Sequence, residues 1–529
     1  MEIYMKTIFT DVLIIGGGIA GLKAAIAARD IVENVMIVSK GIPGKSGCSL
    51  ISEGILNGTF SDEDSPELYF NDIVKGSAEV ADPELARLMA EKAMDAVLSL
   101  QDIGVNFMKD ENGLILDLSG GNSVARTVKV NPPGPGCGKV IPIALGKHVS
   151  ELDIDILEGY SVVKLLRSHE KVVSAIAYKN DEFVQINFKS AVLATGGGGK
   201  LYRSTTNPKG IMGDGYFLAH DVGAPLVDME YVQFFPSVAL KSYLVLPFIF
   251  TDGAILLNNK GERFIGRYDP DLMEKTTRDK MSQAIFTEDL EGRGIEGGVV
   301  ISYKEVPDEL LEGKYKDEVE FFRSKGIDLK NENLPIRPAC HFLMGGVKIN
   351  SHCRSGLEGL YACGECAGGT HGANRLAGNA LVEALVFGER AGEMAARHAL
   401  TQEHSEAEAN DFIESLPKEY ENFDNDIFDH LKELAWNHLG IIRDEKGLEE
   451  AIIELNKISE KLNSMKYMGL EQYFEVRNMT HVLKCIAISA KERKESRGAH
   501  YRKDYPKTSP AWKKAIVIKA DFTTSFEPR

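Results

Sequence analysis

Cysteine is scarce in this chain: 7 in 529 residues, an odd count. That excludes a disulfide scaffold and fits free thiols in a reducing compartment. Long apolar runs are missing as well. The longest, Tyr243 to Phe250, falls far short of the ~20 residues that a membrane-spanning helix needs. Met1 to Thr10 carry a single lysine and lead into a strand at Asp11 with no small-residue cleavage site, so no signal peptide is expected. Positive charge is in deficit: 61 lysines and arginines against 78 acidic residues give a formal net charge of −17. Such a chain repels nucleic acid and anionic lipid at long range, which argues against both as primary partners. What remains is ordinary globular composition, 43% hydrophobic and 26% charged. The length suggests several domains, and the whole reads as a cytoplasmic protein.

Residues 11–39 read strand, glycine turn, helix, strand. Gly16, Gly18 and Gly21 form a G-x-G-x-x-G between the first strand and the helix. Glycines at this spacing allow a tight turn, close backbone approach to a pyrophosphate, and close packing of helix on strand. The helix N-terminus then meets the phosphate charge. The second strand ends in Ser39-Lys40, so the usual acidic ribose clamp is missing there. Residues 161–197 read as a small meander that ends in Ala194-Thr195-Gly196-Gly197. A further glycine-rich block at 359–369 sets Glu365 directly after Cys363-Gly364. A nicotinamide domain normally finishes its site in the first half of a chain. Cofactor signals at both ends point instead to a flavin domain interrupted by an insertion. Between them, residues 231–340 hold more Pro, Gly and charge and read as the inserted domain. From about 403 the chain is charged and periodic, as in a helical bundle, and its tail alternates like a closing strand. Cys363-x-x-Cys366 has redox or metal spacing, but it straddles Glu365 and lacks a second cysteine pair, so no metal is expected.

The ordered blocks IIGGGIAGLKAA (14–25), GGNSVARTV (120–128), ATGGGGKLYRSTTNPKGIMGDGYFLAHDVGAPLVDMEYVQFFP (194–236), TTRDKMSQAI (276–285), HFLMGG (341–346), GECAGGTHGANRLAGNALVEALVFG (364–388) and RKESRGAHYRKDYP (493–506) resemble one family. It is the flavoprotein subunit of fumarate reductase and succinate dehydrogenase, with its relative L-aspartate oxidase. The resemblance spans almost the whole chain. It implies an α/β architecture: a Rossmann-like FAD-binding domain at 1–230 and 345–400, an α+β capping domain at 231–344, and a C-terminal helical domain with tail at 401–529. It also implies the contacts to FAD. Gly16, Gly18, Ala20 and Gly21 would bind pyrophosphate, and Ser39 and Lys40 would lie near the adenosine end. Ser46 and Gly47 would approach the ring, Ala194, Thr195 and Gly196 would pass beside the cofactor, and Asp214 would bind its polar chain. Glu365 would bind ribose. Asn379, Ala380 and Leu381 would sit at the ring's carbonyl edge, beneath a helix N-terminus.

The family moves a hydride between flavin and a carbon beside a carboxylate, with a proton on the neighbouring carbon. Arg278 matches its proton-delivering arginine; His341 and Arg375 match its carboxylate clamp. Arginine suits both tasks because its planar fork pairs with carboxylate oxygens. Bland alternatives stay open: Arg278 as a helix-cap partner of Asp279, His341 as a satisfied core histidine. The departures are as informative. Phe235 stands where the family has a substrate histidine. Leu246-Pro247 and Phe250 fall near the family's Thr-Glu and a following arginine. One end of the pocket keeps its cations and the other has turned apolar. This favours a substrate with one carboxylate and an apolar end, or a pocket rebuilt with Lys241 or Tyr243, with Asp252 as a substitute proton relay.

Three functional readings follow. The first is the FAD subunit of a fumarate reductase or succinate dehydrogenase type of complex, exchanging electrons with an iron–sulfur partner because this chain has no cluster-binding cysteine set. Any membrane association would then run through partner subunits. The second is an L-aspartate oxidase-like enzyme. The third is an electron-transfer subunit that keeps FAD but has lost dicarboxylate turnover. Respiratory members tether FAD to a histidine after the second strand. Residues 40–54 contain no histidine, so FAD is expected to be non-covalent, of lower potential, and suited to the reductive direction.

Overall fold

Short β-branched runs separated by glycine turns build the middle of a seven-stranded sheet. In the computed structural model, which describes residues 5–134, 136–239, 243–417, 426–464 and 469–529, the strand Met5–Ile15 lies at the centre. It pairs in parallel with Val35–Ser39 on one side and with Glu182–Leu193 on the other. Asp155–Glu158 extends the sheet beyond Val35–Ser39, and Leu360–Ala362 lies parallel to the end of Glu182–Leu193. Ser161–Ser168 and Lys171–Lys179 complete an antiparallel meander with Glu182–Leu193. Register decides where function sits. Ile15 pairs with both Val38 and Leu193, and Leu193 pairs with Ala362. The residues at or just past the ends of these strands, Gly16, Ser39, Ala194 and Cys363, therefore emerge along one carboxyl edge, where open α/β sheets bind ligands.

Helices cover the sheet. Ile19–Arg29 and Asn379–Ala399 pack on each other, although some 350 residues of sequence lie between them. Val12, Leu13, Ile14, Ile37, Val192 and Leu193 are all fully buried beneath such cover. Each fully buried side chain of this kind contributes about 1.5–3 kcal/mol. Gly16 has φ +123°, and a Cβ there would lie 2.2 Å from the Ala194 carbonyl oxygen. A Cβ on Gly21 would lie 2.0 Å from the Gly16 carbonyl oxygen. Both positions exclude any larger residue, which is why the turn can tuck its helix against the sheet.

The chain that interrupts this body forms a second one with its own apolar core, including Ile249, Leu256, Phe264, Ile285, Val299 and Phe322. Its four-stranded sheet runs Val232–Val238, Leu334–Leu343, Val299–Ser302, Ile255–Leu257, with the helix Arg278–Leu290 against it. The C-terminal helices Asp426–His438, Glu445–Lys461 and Leu470–Glu492 pack together and bury Leu431, Leu448, Leu455 and Leu483 in the main core. The tail is indeed strand, and it packs on Leu470–Glu492 while its strand partners lie elsewhere. Lys514–Ile518 pairs with Leu226–Val227, and Thr524–Pro528 lies outside it. No described helix is long and apolar enough to cross a membrane.

Candidate active site

A cavity of about 840 Å³ opens at the carboxyl edge of the large sheet and runs toward the inserted body. Its first half is lined by Gly16, Gly18, Ala20, Ser39, Lys40, Ser46 and Gly47, together with Ala194, Thr195, Gly196, Asp214 and Glu365. Lys40 Nζ forms an ion pair with Asp214 at 2.6 Å. Asn478 Nδ2 donates to the same carboxylate at 2.8 Å. Burial works against the charge on Lys40, yet Asp214 outweighs it and holds the ammonium above its usual pKa. Glu365 accepts a hydrogen bond from the Leu343 N–H at 3.1 Å. Burial pushes its carboxyl up to about 7 against that bond and the field of Arg375.

The other half carries Arg278, His341 and Arg375, all lining the cavity. Arg278 opens its helix after Thr277. Among the described residues it makes no ion pair with Asp279 or any other carboxylate, and its guanidinium stands 5.1 Å from the Phe235 ring centre. Arg375 is buried; Nη2 donates to Gln233 Oε1 at 2.9 Å, while Nε has no partner among the described residues. Burial and then the neighbouring Arg375 charge lower Arg278 to about 10. Burial lowers Arg375 to about 10 as well, against Glu365 and Glu383. His341 Nδ1 lies 2.8 Å from the Thr206 hydroxyl. Burial and the two arginines hold its pKa well below the usual value, so the ring is neutral at pH 7. A Thr206 hydroxyl that donates to Nδ1 leaves the ring proton on Nε2. Two cations without a carboxylate and a neutral imidazole donor form an anion-seeking end.

A family model described as an FAD binding domain matches residues 11–381, and one described as the fumarate reductase flavoprotein C-terminal region matches residues 428–528. The chain belongs to the fumarate reductase and succinate dehydrogenase flavoprotein family. It is 39% identical to an uncharacterised FAD-dependent oxidoreductase of Methanocaldococcus jannaschii over 96% of each chain. It is 36% identical to one subunit of the CoM/CoB fumarate reductase of Methanothermobacter marburgensis over 98% of each. The structure superposes on the FrdA chain of E. coli quinol fumarate reductase with a TM-score of 0.90, at 27% identity, over 99% of this chain and 97% of that one. This family member is an FAD-dependent oxidoreductase.

The residues present fit FAD. A Cβ built on Gly47 or Gly196 would meet no protein atom within 4 Å, so the backbone there faces open cavity. Asn207 lines the same space, with Nδ2 donating to the His341 carbonyl at 3.1 Å and Oδ1 set against Gly199. Two of the expected cofactor residues stand outside the lining. Gly21 is wedged under the Gly16 carbonyl. Asn379 turns its side chain to Asn57, at 2.6 Å, and to the Tyr69 hydroxyl, at 2.7 Å, while its neighbours Ala380 and Leu381 do line the cavity.

At the apolar end, Phe235, Leu244 and Leu246 line the cavity, but Pro247 does not and Phe250 lies in the core of the inserted body. Tyr243 is stacked on Phe321 with ring centres 4.6 Å apart, outside the lining. Asp252 is engaged by Lys314 Nζ at 2.7 Å and the Tyr315 hydroxyl at 2.5 Å, also outside it, which removes it as a proton relay. Lys241 lies outside the described residues. Sequence reasoning missed the contribution of the helix Leu470–Glu492, whose Phe474, Glu475 and Asn478 reach the cofactor end. Its amphipathic pattern announced a buried face but not what that face covers.

Proposed function

We propose that this chain is the flavoprotein subunit of a reductase that saturates a carbon–carbon double bond next to a carboxylate. The observation that carries this is the pair of carboxylate-free arginines, Arg278 and Arg375, facing the cavity beside neutral His341. FAD, when bound, supplies the hydride. The protein supplies the rest. Arg375 and His341 Nε2–H hold the substrate carboxylate and its developing negative charge. Arg278, with a pKa lowered to about 10, gives a proton to the alkene carbon that the hydride does not reach, more readily than an ordinary guanidinium would. The inserted body closes the cavity from the far side and excludes water from the reacting atoms.

FAD is held without a covalent bond. Residues 40–54 offer no histidine, and burial raises the Cys48 thiol well above its usual pKa, so it stays protonated and a poor nucleophile. Acid denaturation followed by filtration should release all the yellow flavin; flavin retained on the polypeptide would contradict this. Electrons come from an iron–sulfur partner. Among the described residues no group of four cysteines comes together; the one cluster of potential ligands is His220, His481 and Cys485. The Methanothermobacter relative is, by its name, one chain of a larger enzyme, which agrees with a multi-chain assembly. The test of the activity is anaerobic reduction of alkenoic acids by the holoprotein with reduced viologen as donor. Turnover supports the reading, and its absence across a panel of such acids overturns it.

A further inference from the structure

The substrate end of the cavity has two unlike walls, and the contrast restricts what it takes. One wall is cationic, from Arg278, Arg375 and His341; the other is Phe235, Leu244 and Leu246. We propose that the substrate is an α,β-unsaturated acid with a single carboxylate and an apolar group, such as an aromatic ring, at the other end of the double bond, and that dicarboxylates are rejected. This rests on the reductase reading above and names its substrate class.

The apolar wall is continuous. Phe235 is 2% exposed and packs with Val238 and Ala339, and Leu244 and Leu246 lie against this cluster. The Phe235 ring stands 5.1 Å from the Arg278 guanidinium and 5.4 Å from the His341 ring. It therefore borders both polar groups and closes off the direction in which a second carboxylate would have to be met. Among the described residues, the polar groups of Ser237, Tyr243 and Asp252 in the neighbouring segment are turned elsewhere. The Ser237 hydroxyl donates to the Val245 carbonyl at 2.7 Å, Tyr243 is stacked on Phe321, and Asp252 is tied to Lys314 and Tyr315. Among the described residues the remaining cations that line the cavity are Lys40 and Lys209. Lys40 is paired with Asp214, and Lys209 lies on the segment leading to Asp214, in the field of Lys200. A carboxylate placed against Leu244 and Leu246 would lose its water with no side-chain donor on those residues to replace it, whereas an apolar group there gains burial.

The step itself balances for either substituent. The alkene takes a hydride from reduced FAD at one carbon and a proton from Arg278 at the other. C=C becomes CH–CH, FAD returns to its oxidised form, and solvent restores the proton to Arg278.

The experiment uses the holoprotein. Oxidised enzyme is titrated with 3-phenylpropanoate and with succinate, read by the change in flavin absorbance, and reduced enzyme is mixed anaerobically with cinnamate and with fumarate. The expected result is at least about 10-fold tighter binding of 3-phenylpropanoate and faster flavin reoxidation by cinnamate. Phe235→His should invert the order by giving the second carboxylate a donor. Tighter succinate binding and faster fumarate reduction in the unmutated protein would overturn the substrate class and leave the reductase reading standing. No response to any of the four compounds would overturn both. The ranking in the unmutated protein decides the matter even where Phe235→His fails to fold.

Discussion

At one end of the cavity the walls are mostly backbone: strand ends in register and glycines that leave no room for a side chain. At the other end they are side chains projecting from a different sheet, its helix and the loops that carry Leu244, Leu246 and Arg375. The two ends answer to different constraints. A Cβ at Gly16 or Gly21 would collide with backbone oxygens at 2.2 and 2.0 Å, so the cofactor end tolerates almost no change while the cofactor stays the same. Phe235, Leu244 and Leu246 occupy surface that other side chains of similar size would also fill. The chemistry of the cofactor is therefore fixed by fold, and the choice of substrate is open to single replacements. Arg278 and Arg375 belong to the second region by position but to the first by necessity, because the proposed reaction needs their charge.

Four measurements would break or sharpen this contrast. Arg278→Gln should lower turnover by about 10²–10⁴-fold while flavin content is unchanged, since the loss is of a positioned proton donor. Gly16→Ala should do the reverse, with flavin per protein falling by about 10-fold or more because the turn must move; far-UV circular dichroism should show the rest still folded. Full occupancy in Gly16→Ala would show that the cofactor end is more plastic than its geometry implies.

The third measurement concerns the body behind the apolar wall. Glu318 there is buried, and the Tyr303 hydroxyl donates to it at 2.5 Å. Burial raises its pKa from 4.5 to about 7. A folded pKa above the unfolded one means stability that is complete below about 4.5 and is lost as pH rises through about 7. The gap corresponds to roughly 3 kcal/mol at most. Glu318→Gln should remove that part of the decline, so its thermal midpoint should fall less between pH 5 and pH 8 than that of the unmutated protein. Equal declines would show that Glu318 does not titrate in this range. The smallest effect is expected at the cofactor end. Lys40→Ala removes one charge-assisted contact of a cavity with many, and should weaken FAD binding by roughly 3- to 10-fold.

Legibility in the sequence followed the same division. The glycines, Ala194-Thr195-Gly196 and Glu365 were readable because backbone geometry ties residue type to position, and the structure gathers them as lining, Gly21 apart. The meander at 161–197 was readable from alternation, and it is three strands. Long-range partners were not readable. Nothing local in Leu470–Glu492 says that Asn478 will meet Asp214, nothing in Asn379 says that it will turn to Asn57, and nothing in the tail says that Lys514–Ile518 will pair with Leu226–Val227. The reaction end was half readable: Arg278, His341 and Arg375 converge on the cavity, whereas Tyr243 and Asp252, suggested as substitutes for the polar groups that the resemblance leads one to expect there, have their side chains committed to neighbours outside it.

The central claim is that the cationic wall reads a carboxylate next to the bond that is reduced. It is tested most directly with reduced holoprotein and a matched pair of compounds, cinnamate and cinnamamide, mixed anaerobically while flavin reoxidation is followed. The pair shares its ring and its double bond and differs only in the charge offered to Arg375, His341 and Arg278. Rapid reoxidation by the acid and little or none by the amide is the expected result. Equal rates with both would contradict the account, because the arginines would then play no part in choosing or activating the substrate.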